Sequence, residues 1–282
     1  MWPMVMALIT GGTSGIGAAF ATALARDGYD LVLVARDVGR LDAFAASLHA
    51  EHGIHVETLP ADLADRAQVD RVAARLTDAE HPIDLLVNNA GFGVHTKLTA
   101  EDTSEHERGI DVMIRAVLLL GVAAARTMRA RGRGTIINVS SVAGYITMGS
   151  YSAIKAWVAS YSEGLAVELR GSGVQVTALT PGWVRTEFHE RAGIRTGSIP
   201  GFLWIDVDHL VEVGLRDARR GKVVSVPTAK FQVLLWFCRH LPRAAIRRIS
   251  GFISSSRQGA SQSKTSADTA GSESSNVERK SE

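Results

Sequence analysis

Cysteine is almost absent from this chain of 282 residues, which holds only Cys238, and proline and aromatic residues are sparse at 7 residues and 6%. A single thiol closes no internal disulfide, so a cross-linked secreted scaffold is excluded and no oxidising compartment is required. Cys238 itself reads as a small packing residue. A composition that is 46% hydrophobic and 21% charged excludes collagen-like and wholly disordered chains. Long hydrophobic runs are missing too. The apolar N-terminus is interrupted by Pro3, ends at Thr10-Gly11 and lacks the positive flank of a signal peptide, so it reads as a buried strand. Asn138-Val139-Ser140 is formally a glycosylation triplet, but it falls inside a predicted strand and reads as chance.

Charge of one sign is equally lacking, with a net value of +2, yet the charge is unevenly spread. Residues 230–253 carry Lys230, Arg239, Arg243, Arg247 and Arg248 and no acid, which leaves the remainder slightly acidic. No basic stripe runs through the body, so no nucleic-acid partner is expected. A local anionic partner surface stays open.

What is present is a regular alternation. Apolar, β-branched runs of strand length stand at Val5–Ile9, Leu31–Val34, His55–Leu59, Leu85–Val87, Thr135–Val139 and Val174–Leu179. Amphipathic stretches such as Gly15–Asp27, Arg40–His52 and Gln68–Ala79 separate them. Runs without clean polar alternation predict strands buried on both faces, hence an α/β fold with a doubly wound, mostly parallel sheet between helices. The predicted organisation is one such domain over 1–228, a basic amphipathic helical extension over 229–253, and a polar, disordered tail over 254–282.

The first strand runs into Thr10-Gly11-Gly12-Thr13-Ser14-Gly15-Ile16-Gly17 and then a helix. Glycines in such a turn let backbone N–H groups approach a pyrophosphate at the positive end of the helix. A Walker phosphate loop is excluded, because Ala18 and Ala19 stand where Lys and Ser/Thr would be needed. The turn T-G-x-x-x-G-x-G is followed in order by Asn88-Asn89-Ala90-Gly91, Ser140-Ser141, Tyr151-Ser152-Ala153-Ile154-Lys155 and Pro181-Gly182-Trp183-Val184-Arg185-Thr186. In this series the chain resembles the short-chain dehydrogenase/reductase family over residues 4–225. The resemblance implies a nicotinamide cofactor held by Gly11, Thr13, Ser14, Gly15, Ile16 and Gly17, by Asn89, Ala90 and Gly91, and by Pro181, Gly182, Val184 and Thr186. It further implies that Asp62 and Leu63, after the third strand, meet the adenine, and that Lys155 and Tyr151 hold the nicotinamide ribose.

The chemistry also follows from the residues themselves. Tyr151 and Lys155 are spaced i,i+4, so both emerge on one helix face. A nearby ammonium favours phenolate, which predicts a lowered tyrosine pKa and a general acid for a carbonyl oxygen as hydride arrives. Ser141 offers a hydroxyl to the same oxygen; it is preferred over Ser140 because it opens the small-residue turn Ser-Val-Ala-Gly that follows the catalytic serine in relatives. The competing reading is an ordinary surface Tyr–Lys pair. One departure stands out: relatives carry an asparagine in the long fourth helix, where this chain has Met113, which cannot make the amide's hydrogen bonds.

At the tip of the second strand Ala35 replaces the acid that selects NAD, and Arg36 follows it, so the expected cofactor is NADP(H). The competing reading pairs Arg36 with Asp37 or a neighbouring acid. His49, His52 and His55 are three apart but straddle a helix end and a strand, so no metal is expected. His189 reads as a lid or surface residue. Phe92, Met148, Trp183, Phe188, Phe202 and Trp204 fall in loops that border the substrate cleft in relatives, which predicts an apolar carbonyl or alcohol substrate. Residues 230–253 can lie in a membrane interface or pack on the body. The expected protein is a cytoplasmic oxidoreductase and homo-oligomer, with peripheral contact to an anionic membrane left open. The alternative is a non-catalytic NADP(H)-binding or scaffold protein on the same fold.

Overall fold

The computed structural model describes residues 5–185 and 201–250, Ile249 excepted. Pro3, Thr186, Phe188, His189, the end of the 230–253 segment from 251 and the tail from 254, all of them named above, lie outside the described residues.

Strands β1 (Met6–Thr10), β2 (Asp30–Ala35), β3 (Val56–Pro60), β4 (Leu85–Asn88), β5 (Gly134–Val139) and β6 (Val174–Leu179) fall close to the six apolar runs. They pair in parallel in the order β3-β2-β1-β4-β5-β6. A seventh strand, β9 (Val224–Ser225), closes the edge beside β6. Two residues give no periodicity, so this strand has no signature in the sequence. The short strands β7 (Trp183–Val184) and β8 (Trp204–Ile205) form a separate parallel pair beyond the sheet.

The apolar runs lack alternation because the sheet is covered on both faces. In β1, Ala7 and Ile9 enter one core with Phe20, Leu24, Leu210 and Leu215, while Leu8 enters the other with Val69, Val72, Leu120 and Met128. The first core is roofed by α1 (Gly15–Arg26), α2 (Val38–His52), α7 (Val207–Arg219) and α8 (Ala229–His240). The second lies under α3 (Arg66–Leu76), α5 (Ala116–Arg131) and α6 (Gly149–Glu168). The order of strands reverses between β1 and β4, and an open parallel sheet binds ligands at the carboxyl ends of the strands flanking such a point.

Helix starts explain the local boundaries. Asp37, Asp65 and Asp206 each cap a helix by accepting first-turn backbone N–H groups. At α1 the cap position is Ser14, whose side chain makes no such bond. The helix whose N-terminus meets the glycine-rich turn thus lacks the carboxylate cap that these three use. Preceding α5, α4 (Ser104–Ile110) passes through a π-helical turn, Asp111–Arg115, with Met113 at its centre. Such turns are rare and often accompany functional sites.

Candidate active site

The glycine-rich turn is shaped by contacts that only glycine permits. Gly11 and Gly15 have φ of 66° and 53°, the left-handed region. A Cβ on Gly17 would overlap the Gly11 carbonyl oxygen and the Asn89 amide, so the start of α1 lies flush against the end of β1. Asn89 fastens this turn from the neighbouring strand: its amide donates to the Thr10 carbonyl at 3.0 Å and the Gly11 carbonyl at 3.3 Å. The backbone N–H groups of Asn89 and Ala90 donate to Thr10 Oγ1 at 2.9 and 3.1 Å. A cradle this tight, opening on backbone N–H groups at a helix N-terminus, fits a pyrophosphate. Thr13, Ser14 and Ile16 line the same turn, half-buried.

At the tip of β2, Arg36 is exposed, and Asp37 accepts the Arg40 backbone N–H to cap α2 instead of pairing with it. Arg40, which sequence reasoning passed over, reaches back to the Thr13 carbonyl at 3.4 Å and brings a second guanidinium to the glycine-rich turn. Asp62 follows β3 beside the buried Leu63. Burial alone would raise the Asp62 pKa, but hydrogen bonds from the Ala64 N–H and Arg108, with the charges of Arg108 and Arg36, hold it below the usual carboxylate range. Arg108 donates to both Asp62 oxygens at 3.0 and 2.9 Å. It comes from α4, far along the chain, and nothing local announces it.

Tyr151 and Lys155 occupy successive turns of α6, and Ser141 precedes the 3-10 turn Val142–Tyr145. The Ser141 side chain comes near enough to the Tyr151 phenol to pull its pKa down. Ser141 Oγ also accepts the Ala143 N–H at 3.1 Å. Ser140 is turned away: fully buried, it donates to the Lys155 carbonyl at 2.8 Å and holds α6 against β5. The serine that meets the tyrosine is Ser141.

Lys155 is 5% exposed, and its ammonium donates to the Val139 carbonyl at 2.8 Å, 5.7 Å from the centre of the Tyr151 ring. The expected lowering of the tyrosine pKa is therefore corrected. Loss of solvent pushes Tyr151 up to about 12, against a smaller opposing effect of the Ser141 side chain. Loss of solvent also pushes Lys155 down to about 8. The ammonium is engaged with a backbone carbonyl here, and burial outweighs its pull on the phenol.

Met113 belongs to the same neighbourhood. It is 1% exposed, and a Cβ on Gly91 would stand 3.0 Å from its sulfur and 3.7 Å from Lys155 Nζ. Beneath the site lies a buried polar chain that sequence reasoning missed. Asn88 donates to Asn138 at 2.9 Å, Asn138 to Ser162 at 3.0 Å, and Ser162 to the Val158 carbonyl at 2.7 Å. It ties β4, β5 and α6 together directly under the catalytic candidates.

Pro181 and Gly182 follow β6, and the Pro181 carbonyl accepts the Val142 N–H at 3.0 Å, joining this turn to the one after Ser141. A Cβ on Gly182 would overlap the ring of Phe231, so α8 presses on the turn. Val184 is buried and pairs with Ile205, and Trp183 stands opposite Trp204 in the same register. Phe92 and Met148 are half-buried; Phe202 is exposed. His49 is hydrogen-bonded to the Ile54 carbonyl at 2.8 Å, and among the described residues no group of three His, Cys, Asp or Glu could hold a metal.

A parallel sheet with a glycine cradle at its reversal point, and a Ser–Tyr–Lys cluster beside that cradle, defines a dinucleotide-dependent oxidoreductase of the doubly wound class. The family model described as short chain dehydrogenase matches residues 5–195, and the chain belongs to that family. It is 37% identical over 185 residues to a glycine betaine reductase from Emericella nidulans, covering 64% of this chain but only 14% of that protein. An uncharacterized oxidoreductase from Staphylococcus saprophyticus is 37% identical over 184 residues, covering 64% of this chain and 79% of its own length. Among solved structures, a short-chain dehydrogenase from Sphingobium yanoikuyae in complex with NADPH is similar with a TM-score of 0.75 and 38% identity, covering 92% of this chain and 96% of that one. A bulky-bulky ketone specific alcohol dehydrogenase from Comamonas testosteroni gives 0.72 and 31%, with coverage of 86% and 96%. The family binds a nicotinamide cofactor and acts on small-molecule substrates, and the cradle around Gly17 fits the pyrophosphate of such a cofactor.

Proposed function

We propose that this protein interconverts a carbonyl compound and its alcohol with NADP(H), using Tyr151 as general acid and base. The observation that carries the reading is the grouping of Ser141, Tyr151 and the buried Lys155, whose ammonium lies 5.7 Å from the centre of the Tyr151 ring. When bound, the nicotinamide supplies or accepts hydride. The protein's part is proton management: Ser141 and Tyr151 present two hydroxyls to the substrate oxygen, and Tyr151 delivers the proton as negative charge develops there. A phenol with a pKa near 12 holds its proton firmly at neutral pH. Lys155 makes it a better acid once the ammonium turns from the Val139 carbonyl toward the tyrosine and the ribose hydroxyls.

In the proposed cofactor site Gly11, Thr13, Ser14, Gly15, Ile16 and Gly17 hold the pyrophosphate, Asp62 and Leu63 meet the adenine, and Asn89, Ala90 and Gly91 with Pro181, Gly182 and Val184 line the nicotinamide side; Thr186, outside the described residues, is assigned to the cofactor by the family resemblance alone. NADP(H) over NAD(H) is supported by Ala35 at the strand tip, by the exposed Arg36, and by the NADPH held in the Sphingobium relative. A bulky apolar substrate is supported by the half-buried Trp183, Trp204 and Phe92 and by the ketone preference of the Comamonas relative. The proposed place of work is the cytoplasm. The proposed assembly is a homo-oligomer, supported by Leu118 and Val122, exposed one turn apart on α5.

A panel of bulky ketones and their alcohols, followed by NADPH absorbance, tests the reading. Turnover of at least one ketone, lost in Tyr151→Phe, is expected. A protein that binds NADPH tightly but turns over no member of the panel would instead be the non-catalytic binder.

A further inference from the structure

A helix lying on a protein surface buries one apolar stripe and shows water a polar one. Helix α7 obeys: Leu210, Val211 and Leu215 are buried, while His209, Glu212, Arg216 and Arg219 are exposed. Helix α8 does not. Phe231 and Leu235 are buried in the first core, yet Val233, Leu234, Trp236, Phe237 and, just past its end, Leu241 are exposed at fractions of 38–56%. At 100° per residue these side chains fill the arc opposite the buried pair. Trp236 meets Phe237 edge-on at 5.1 Å and stacks on His240 at 4.5 Å, which makes an ordered aromatic ridge. The patch presents on the order of 400 Å² of apolar surface, as much as the largest patch on a typical monomer.

Within this stretch the charge has one sign. Between 229 and 250 there are five basic residues and no acid. Two are occupied by the body of the protein: Lys230 donates to the Phe202 and Trp204 carbonyls, and Arg239 reaches Glu163 at 3.7 Å and the Tyr145 hydroxyl at 3.3 Å. Arg243, Arg247 and Arg248 follow in a helical stretch over 243–248 and are exposed.

We propose that the outer face of α8 and the arginines after it form a docking surface for an anionic lipid bilayer, with Trp236 and Phe237 entering the interface and the arginines at the phosphates. A second copy of the chain is the poorer occupant, because a two-fold contact across this face would set arginines against arginines. The helix that would meet the membrane is fastened to the site. Phe231 packs on Gly182, Arg239 lies over the Tyr145 ring at 5.2 Å, and Ser250 Oγ accepts the Thr147 N–H at 3.2 Å. Docking therefore sets the loop between Ser141 and Tyr151 beside the bilayer, where an apolar substrate concentrates. The docking itself does not depend on the reductase reading.

The test is flotation of the full-length protein with phosphatidylglycerol–phosphatidylcholine vesicles and with pure phosphatidylcholine, at low and high salt. Binding to the anionic vesicles at low salt is expected, at least tenfold weaker on neutral vesicles and weakened by salt. Replacing Arg243, Arg247 and Arg248 with Gln should weaken it about fivefold per residue. The double change Trp236→Ser with Phe237→Ser should abolish it while NADPH affinity and melting temperature hold. The proposal is overturned by no binding to anionic vesicles at low salt, by equal binding to neutral ones, or by the arginine variant binding undiminished. It is also overturned if Trp236→Ser turns a dimer into a monomer in light scattering, since a second copy would then be what covers the face.

Discussion

The turn after β1 and the turn after β6 each hold a glycine pressed against another part of the chain, but the pressing groups come from very different places. At Gly17 the neighbour is the Gly11 carbonyl, inside the same strand–turn–helix unit. At Gly182 it is the ring of Phe231, delivered by α8 from the far end of the fold. The first glycine serves a ligand cradle whose turn closes within a short stretch of chain and is fastened from outside by Asn89. The second lets α8 close against the turn after β6. The nucleotide half of the site thus starts from a local turn, with Asn89 fastening it and Arg108 holding Asp62 from elsewhere, whereas the turn after β6 is shaped by long-range packing throughout.

The largest effect expected falls where the halves meet. Tyr151→Phe should lower turnover at least ~100-fold and leave NADPH affinity within about twofold, because it removes the acid and spares the cradle. Stopped-flow turnover with a binding titration checks it; near-normal turnover would break the assignment. Phe231→Ala tests the long-range half. Phe231 is 2% exposed, so its loss should cost about 3–5 kcal/mol of stability, read in denaturant melts. If it weakens substrate binding more than NADPH binding, the division between the halves holds.

Third in size is a pH effect. Lys155 is pushed down to about 8 from an ordinary 10.5, so between those values the unfolded chain holds a proton that the folded chain has lost. Stability of the cofactor-free protein should therefore rise with pH across that window, by roughly 3 kcal/mol in full. Tyr151, pushed up to about 12, works the other way above pH 10, where the folded chain keeps the proton and stability falls. Melts of the wild type and Lys155→Met against pH measure both, and the variant should lack the rise. A wild-type curve as flat as the variant's would show that the ammonium carries no penalty.

Met113→Asn sharpens the comparison on the nucleotide side. With Met113 packed beside Gly91 in the second core, an amide there should cost ~1–3 kcal/mol and bring no gain in rate. A faster enzyme with an unchanged melting temperature would mean that the missing amide limits proton delivery. Smallest is Arg36→Ala, expected to weaken NADPH binding about tenfold and NADH binding hardly at all, since only NADPH offers a 2′-phosphate. Equal losses in calorimetric titrations would remove Arg36 from the phosphate site.

Much of the fold was legible in the sequence because its signals are short-range. A strand buried on both faces must be largely apolar, so β1, β2, β4, β5 and β6 announced themselves as runs, and the edge strand β3 by its Val56 and Leu59. The Gly11–Gly17 turn and the Tyr151–Lys155 pair each fit within two helical turns of chain, so their geometry follows from spacing. What only the tertiary structure decided are meetings between distant segments. These include the pairing of β9 with β6, Arg108 on Asp62, Ser140 on Lys155, and the Lys155 ammonium on Val139. The predicted lowering of the Tyr151 pKa failed for the same reason. Spacing places an ammonium one turn from a phenol, but which partner the ammonium takes, and how much water the phenol loses, depend on β5 and on everything packed above it.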